Sequence, residues 1–232
     1  MAEALPYTTV ILATSADGKI ADRDRTAARF SSAHDQAHLE ALVAEADGVL
    51  FGAATLRAYG TCLSVRSPHL LEARRQRGQP PQPVQIVCSR QGAFDPHLRF
   101  FQQAVPRWLL TTVAGGDRGQ ATSAFDHVLS LSLNKAGQPD WTHTLATLRV
   151  AGMQRLAVLG GGHLVADLLE ADLVDELRLT LCPLLLGGRN APTLVDGTGF
   201  LAAEAPRLQL LSVEVVADEV FLHYRRCRSP ED

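Results

Sequence analysis

The spacings on which metal centres and disulfide frameworks are built are missing from this chain of 232 residues. Its four cysteines, Cys62, Cys88, Cys182 and Cys227, lie far apart. No Cys-x-x-Cys occurs, and no His/Cys cluster has zinc spacing, so reduced thiols and no metal are expected. Long apolar runs are missing as well. Val10–Ala13 is far too short for a signal or membrane helix, and Met1–Pro6 has no basic region. These absences predict a cytoplasmic protein with no membrane partner. A basic excess is also lacking. The net charge is −3, which leaves no electrostatic footprint for nucleic acid. The longest basic cluster, Arg74, Arg75 and Arg77, lies in a Pro/Gln/Gly-rich stretch and reads as a solvated loop. No repeat, low-complexity linker or composition break divides the chain, which predicts a single domain over 1–232 with its core at about 7–225.

What is present is enough apolar residue, 46%, to fill one large core. The reading turns on residues 155–171. Leu156–Leu159 is a short apolar run that reads as a buried strand. Gly160, Gly161 and Gly162 follow, and then Leu164, Val165, Leu168 and Leu169 at the spacing of a helix face. A strand, glycines and a helix start together place unpaired N–H groups and a positive dipole end where an anion can approach. The same glycines would equally serve a tight turn that needs them only for backbone angles. The spacing is not that of the usual dinucleotide fingerprint, because the sixth position from Gly160 is Val165.

Other elements follow from pattern. Tyr7–Ala13 reads as a central strand ending near the Asp17-Gly18 turn, with Lys19 beside it. Ser32-x-x-Asp35 is a plausible N-cap for a helix of about twelve residues. His34 and His38 then read as surface histidines on it. Val49–Gly52 is a second strand, after which Thr55 could cap a short helix. Residues 66–83 read as a long surface excursion. Val84–Cys88 is a third strand ending in Ser89-Arg90, a hydroxyl and a guanidinium suited to a phosphate monoester or to a plain turn. Trp108–Thr112 is a fourth strand, followed by the loop Ala114-Gly115-Gly116, and His127–Leu133 a fifth. Asp140 caps a helix to Val150, with Leu145, Leu148 and Val150 inward. Glu176–Leu181 alternates with period two, and Leu208–Val216 and Glu219–Arg225 form a terminal antiparallel hairpin. One α/β domain with a mixed sheet and an antiparallel C-terminal edge is expected. The anion-friendly features Gly52/Thr55, Ser89/Arg90, Thr111/Thr112 and Gly160–Gly162 all follow strands, as ligand contacts on such sheets do.

The order of the motifs resembles the dihydrofolate-reductase-like fold and, more closely, the pyrimidine reductase domain of riboflavin biosynthesis. The resemblance spans about residues 7–225. It rests on Ser15-Ala16-Asp17-Gly18-Lys19, Gly52-x-x-Thr55, Leu63-Ser64-Val65-Arg66, Gly161-Gly162, Leu173-Val174-Asp175-Glu176-Leu177 and Pro183-Leu184-Leu185-Leu186-Gly187. It implies three α/β/α layers with a mostly parallel central sheet, and NADPH as hydride donor. Gly52, Thr55, Ser89, Arg90, Thr111, Gly160, Gly161 and Gly162 would contact the cofactor, with Ser89-Arg90 holding the 2′-phosphate. The implied substrate is a 5-phosphoribosylamino pyrimidine whose ribosyl group is reduced to ribityl. Lys19 and Arg66 would anchor it, Ser15 and Tyr59 would line its site, and Asp17 with Lys19 would form the catalytic pair. A homodimer is implied too.

Two departures stand out. The family carries Glu-Gly-Gly at the glycine turn, where this chain has Gly160, and Asp-x-Pro where this chain has Tyr59 and Thr61. Loss of those carboxylates keeps open a different small substrate, such as a pterin, or a non-catalytic nucleotide-binding module. A deaminase domain is not expected, because the zinc signature that joins His-x-Glu to Pro-Cys-x-x-Cys is incomplete: no Pro-Cys-x-x-Cys occurs.

Overall fold

The computed structural model describes residues 4–112, 122–135 and 137–228. The expected loop Ala114-Gly115-Gly116 lies outside them. The chain divides into two compact units. One holds Leu39–Ala157 with the described residues before Tyr7, and the other holds Tyr7–His38 and the chain from Val158 onward. The strands belong to a mixed, mostly parallel nine-stranded sheet.

In the first unit β2 (Gly48–Gly52), β3 (Val84–Cys88), β4 (Arg107–Thr111) and β5 (His127–Ser130) are parallel, ordered β5-β4-β3-β2-β6, with β6 at Arg155–Val158. Val49, Leu50, Ile86, Val87, Leu109 and Leu110 are all buried. That burial is why the middles of β2, β3 and β4 read as apolar runs rather than alternations. Each fully buried Leu or Ile contributes about 1.5–3 kcal/mol of transfer free energy. Helices α2 (Ala53–Tyr59), α3 (Pro68–Gln76) and α4 (Trp141–Val150) complete the unit.

Four sequence expectations are corrected here. The excursion over 66–83 contains α3, started by Ser67 and by Pro68 at its first position, where the missing N–H costs nothing. Its Arg74 is not solvated but fully buried. The guanidinium donates to the carbonyls of Ala44, Ala46 and Pro80 at 2.9, 2.7 and 2.8 Å. It thereby satisfies acceptors left over at the end of a helix, which a planar donor fork does well. Thr55 lies inside α2, whose N-cap is Gly52. Val150, expected to point inward, is 89% exposed at the last turn of α4. Asp140 does cap that helix, accepting from the His143 N–H at 3.0 Å.

The second unit contains β1 (Tyr7–Ser15), β7 (Glu176–Cys182), β9 (Glu219–Cys227) and β8 (Arg207–Val216), in the order β1-β7-β9-β8. β1 and β7 are parallel, and β9 is antiparallel to both β7 and β8. Helix α5 (Gly162–Glu170) buries Leu164, Val165 and Leu168. Helix α1 (Ala33–Glu45) begins in this unit and continues into the first. Ser32 caps it by accepting from the Asp35 N–H at 3.1 Å, and also donates to Glu219. His34 and His38 meet the Phe221 ring edge-on at 5.2 and 5.1 Å, so they are packing groups as well as surface ones. Among the described residues no helix is long and apolar enough to cross a membrane, and no cluster of His, Cys, Asp and Glu could hold a metal ion.

Candidate active site

In the first unit the carboxyl ends of three parallel strands collect the expected cofactor residues. Gly52 sits opposite Cys88, and Cys88 opposite Leu110. Gly52, Ser89-Arg90 and Thr111 therefore share one edge. Their roles differ. The Thr111 side chain is buried, and its hydroxyl points at the Arg90 carbonyl at 3.4 Å. Thr112 donates to the same carbonyl at 2.9 Å. The buried Ser89 hydroxyl accepts from the Gly92 N–H at 3.1 Å. These contacts fix the backbone of residue 90 and leave its exposed guanidinium without a partner among the described residues. An unpaired cation beside a strand-end glycine fits the phosphate of a dinucleotide.

A second construction in this unit presents Arg66. The extended segment before α3 has its backbone satisfied by side chains rather than by a sheet. Gln103 accepts from the Cys62 N–H and donates to its carbonyl, both at 2.9 Å. Gln82 does the same for Val65 at 2.8 and 2.7 Å. Glu40 accepts from the N–H groups of Arg66 and Ser67 at 2.6 and 2.7 Å. Burial pushes the Glu40 carboxyl up, but these two N–H groups and the nearby Arg66 outweigh it and hold the group below its ordinary range. The Arg66 side chain is exposed, with only a 3.4 Å contact from Nε to the Ser64 hydroxyl. Tyr59 is exposed at the end of α2.

The second unit places Ser15, Asp17 and Lys19 just beyond β1. Ser15 is fully buried. Its hydroxyl donates to Asp17 Oδ1 at 2.6 Å and accepts from the Lys19 N–H at 2.9 Å. Ser15 thus organises the turn instead of reaching a ligand. Asp17 also accepts from the N–H groups of Leu186 and Gly187 at 3.1 and 2.7 Å. This is how the two most family-like motifs, far apart in sequence, meet. The Ser15 hydroxyl first, and then the Leu186 N–H, pull the Asp17 carboxyl down to about 2. It is therefore an ionised acceptor at neutral pH and not a proton donor. Because the folded value is depressed, the anchorage is complete above the ordinary value of 3.8 and lost as pH falls toward about 2. Urea unfolding between about pH 4 and 2 should show a steeper loss for the wild type than for Asp17→Asn. Identical pH profiles would remove Asp17 from this role.

At the glycine turn, β6 ends and α5 begins with Gly161 as N-cap. The Gly160–Gly161 peptide is cis. Gly160 has φ +89°, and a Cβ there would lie 3.1 Å from Leu12 Cδ2. Position 160 is thus unfit for a side chain, a glutamate included. Gly162 is glycine for another reason. A Cβ would come within 2.4 Å of the Thr193 carbonyl and 2.7 Å of Asp196 Oδ2. The chain's own residues occupy the space beside it, where the sequence suggested an anion.

The sequence profile of the RibD C-terminal domain matches residues 6–222, across both units. The chain belongs to the RibD C-terminal domain family. A RibD-family relative from Archaeoglobus fulgidus, named 2,5-diamino-6-ribosylamino-4(3H)-pyrimidinone 5′-phosphate reductase, is 31% identical over 196 residues, covering 84% of this chain and 89% of its own. A pyrimidine reductase-like protein from Corynebacterium diphtheriae superposes with TM-score 0.81 at 20% identity, over 97% of this chain and 93% of the other. Dihydrofolate reductase from Enterococcus faecalis, in complex with NADP(H), superposes with TM-score 0.52 at 13% identity, over 95% and 96%. The fold is that of dihydrofolate reductase.

Sequence reasoning missed Glu40, Gln82, Gln103, Thr193 and Asp196. A glutamate on a helix and a glutamine in a loop look like solvated polar residues until the backbone they satisfy is known. Thr193-x-x-Asp196 alone carried a local signal, that of a side-chain-stabilised turn.

Proposed function

We propose that this chain is an NADPH-dependent pyrimidine reductase of riboflavin biosynthesis. It reduces the ribosyl group of a 5-phosphoribosylamino pyrimidine to ribityl. Membership of the RibD C-terminal domain family carries this reading, and the exposed Arg66 and half-buried Lys19, both on pinned backbone, support it. The nicotinamide supplies a hydride. Gly52, Gly160 and Gly161 give that cofactor close backbone approach, and the Arg90 guanidinium meets the 2′-phosphate that distinguishes NADPH from NADH. Arg66 takes the substrate phosphate, and Lys19 orients the opened sugar. Hydride transfer of this kind depends on positioning more than on a strong base. A Glu-Gly-Gly on this backbone would place its glutamate at 159 and not 160, and here that residue is the half-buried Leu159. The pyrimidine ring therefore meets an apolar group there.

The deciding experiment follows absorbance at the reduced nicotinamide band with 2,5-diamino-6-ribosylamino-4(3H)-pyrimidinone 5′-phosphate and either NADPH or NADH. Substrate-dependent oxidation of NADPH at least tenfold faster than of NADH is expected, about 1.4 kcal/mol of discrimination. No oxidation of either would reject the reading.

The same proposal includes a homodimer through β8. This edge strand exposes Leu208, Leu210, Val213 and Val215 by 40, 50, 52 and 67%. Arg207 lies near one end and Glu214 near the other, so two antiparallel copies bring opposite charges together. Sedimentation velocity should show the wild type as a dimer and the Val213→Lys/Val215→Lys variant as a monomer. A wild-type monomer at micromolar concentration would end this part.

A further inference from the structure

The connection from β7 to β8, whose Leu186 and Gly187 hold Asp17, also bridges two features of the second unit. At one side, Ile20 N–H donates to the Pro192 carbonyl at 3.0 Å, and Lys19 forms an isolated antiparallel bridge with Thr193. Lys19 Nζ donates to the carbonyl of the buried Ala191 at 3.2 Å. At the other side, Asp196 N–H donates to the Gly162 carbonyl at 3.2 Å, and the Asp196 carboxylate lies against Gly162 at the start of α5. Between the two, Asp196 Oδ1 accepts from both the N–H and the hydroxyl of Thr193, at 3.1 and 2.8 Å. Six residues, 191–196, therefore tie the lysine to the glycine turn.

We propose that Asp196 is a positioning residue: through Thr193 it locks the 191–196 strap, and the strap holds the Lys19 ammonium in the pose that meets substrate. This rests on Lys19 being the substrate lysine. A lysine carries a point charge on a flexible four-carbon stem, so its position is set by whatever its ammonium and backbone touch. Here the ammonium contact belongs to the strap, while the backbone is shared between the strap and Ser15. Asp196 anchors the strap twice, its carboxylate through Thr193 and its N–H through the Gly162 carbonyl. Truncating it removes the acceptor that holds Thr193 and frees the Ala191 carbonyl to move. Displacement of a positioning group by about 1 Å can cost up to about a hundredfold in rate.

The test is a mutant cycle in steady-state kinetics on the full chain, with the pyrimidinone 5′-phosphate named above and NADPH. Asp196→Ala is expected to raise the substrate KM about tenfold, a change of about 1.4 kcal/mol, and to leave the NADPH KM within about twofold. Asp196→Asn keeps an oxygen for Thr193 and should restore most of that loss. In the Lys19→Met background, Asp196→Ala should have no further effect, because coupled residues are non-additive. If Asp196→Ala does not fold, Thr193→Val takes its place in the cycle with the same expectation. Additive effects, or equal changes in both KM values, would overturn the strap. A large effect of Lys19→Met with none of Asp196→Ala would overturn it while leaving the reductase reading intact. Unchanged substrate KM in Lys19→Met would reject Lys19 itself, and absence of wild-type turnover would reject both.

Discussion

Gly162→Ala is expected to destabilise the protein by about 2–3 kcal/mol, as overpacking against fixed backbone does. The sign is opposite to the usual one. Gly162 opens a helix, where alanine ordinarily gains about 0.5–1 kcal/mol over glycine. Here the new methyl would meet the Thr193 carbonyl oxygen at 2.4 Å and the Asp196 carboxylate at 2.7 Å. The carboxylate can rotate away, at the expense of its Thr193 contacts. The carbonyl is backbone of the residue bridged to Lys19, so it moves only with the segment. Gly137→Ala provides the contrast. That glycine has φ +74° with nothing within 4 Å of a Cβ, so only backbone strain of about 1–2 kcal/mol applies. Urea or guanidinium unfolding of both variants checks the pair. A Gly162→Ala protein as stable as wild type would mean that the 191–196 segment yields freely, which would also weaken the role given to Asp196.

Arg66→Ala is expected to raise the KM for the phosphorylated pyrimidine about 10- to 100-fold, the value of a charge-assisted phosphate contact of about 1.5–3 kcal/mol. The KM for NADPH should stay within about twofold. The structure makes this a clean substitution. Glu40 holds the backbone N–H groups of Arg66 and Ser67, and Gln82 holds Val65, so the segment keeps its shape when the guanidinium is removed. The side chain is exposed and supports no core. Stability should accordingly change by no more than about 0.5 kcal/mol. Equal loss of affinity for cofactor and substrate would show that position 66 acts through the segment and not through its charge. Glu40→Ala supplies the complementary case, in which the charge stays and its support is removed.

The two predictions rest on different parts of the sequence. The strands were readable because burial on both faces demands mostly apolar residues, and Val84–Cys88, broken by the buried Gln85, is observed with the very bounds its composition suggested. The caps at Ser32 and Asp140 were readable because a cap acts within three residues of itself. The family motifs were readable as well. What they do was only partly so. Ser15 sits in the motif with Asp17 and Lys19, but its hydroxyl is turned inward and spent on both of them. Arg74 looked like one of three solvated arginines. Its burial depends on carbonyls some thirty positions earlier, which no local pattern contains.

The sequence by itself determined the α/β class, the chain order of its strands and the motifs that mark a reductase of this family. All of these depend on composition, local spacing or short-range capping. Only the tertiary structure decided what lies beside Gly160 and Gly162, which carboxylate stays ionised and what holds Arg66 and Lys19. Each of those answers includes a contact between residues far apart in the chain. Gly162 is the plainest instance. Its spacing promised a cradle for an anion, and the fold puts the protein's own Thr193 and Asp196 there. A helix N-terminus attracts negative charge from any source, and a carboxylate tethered to the same chain is already at hand.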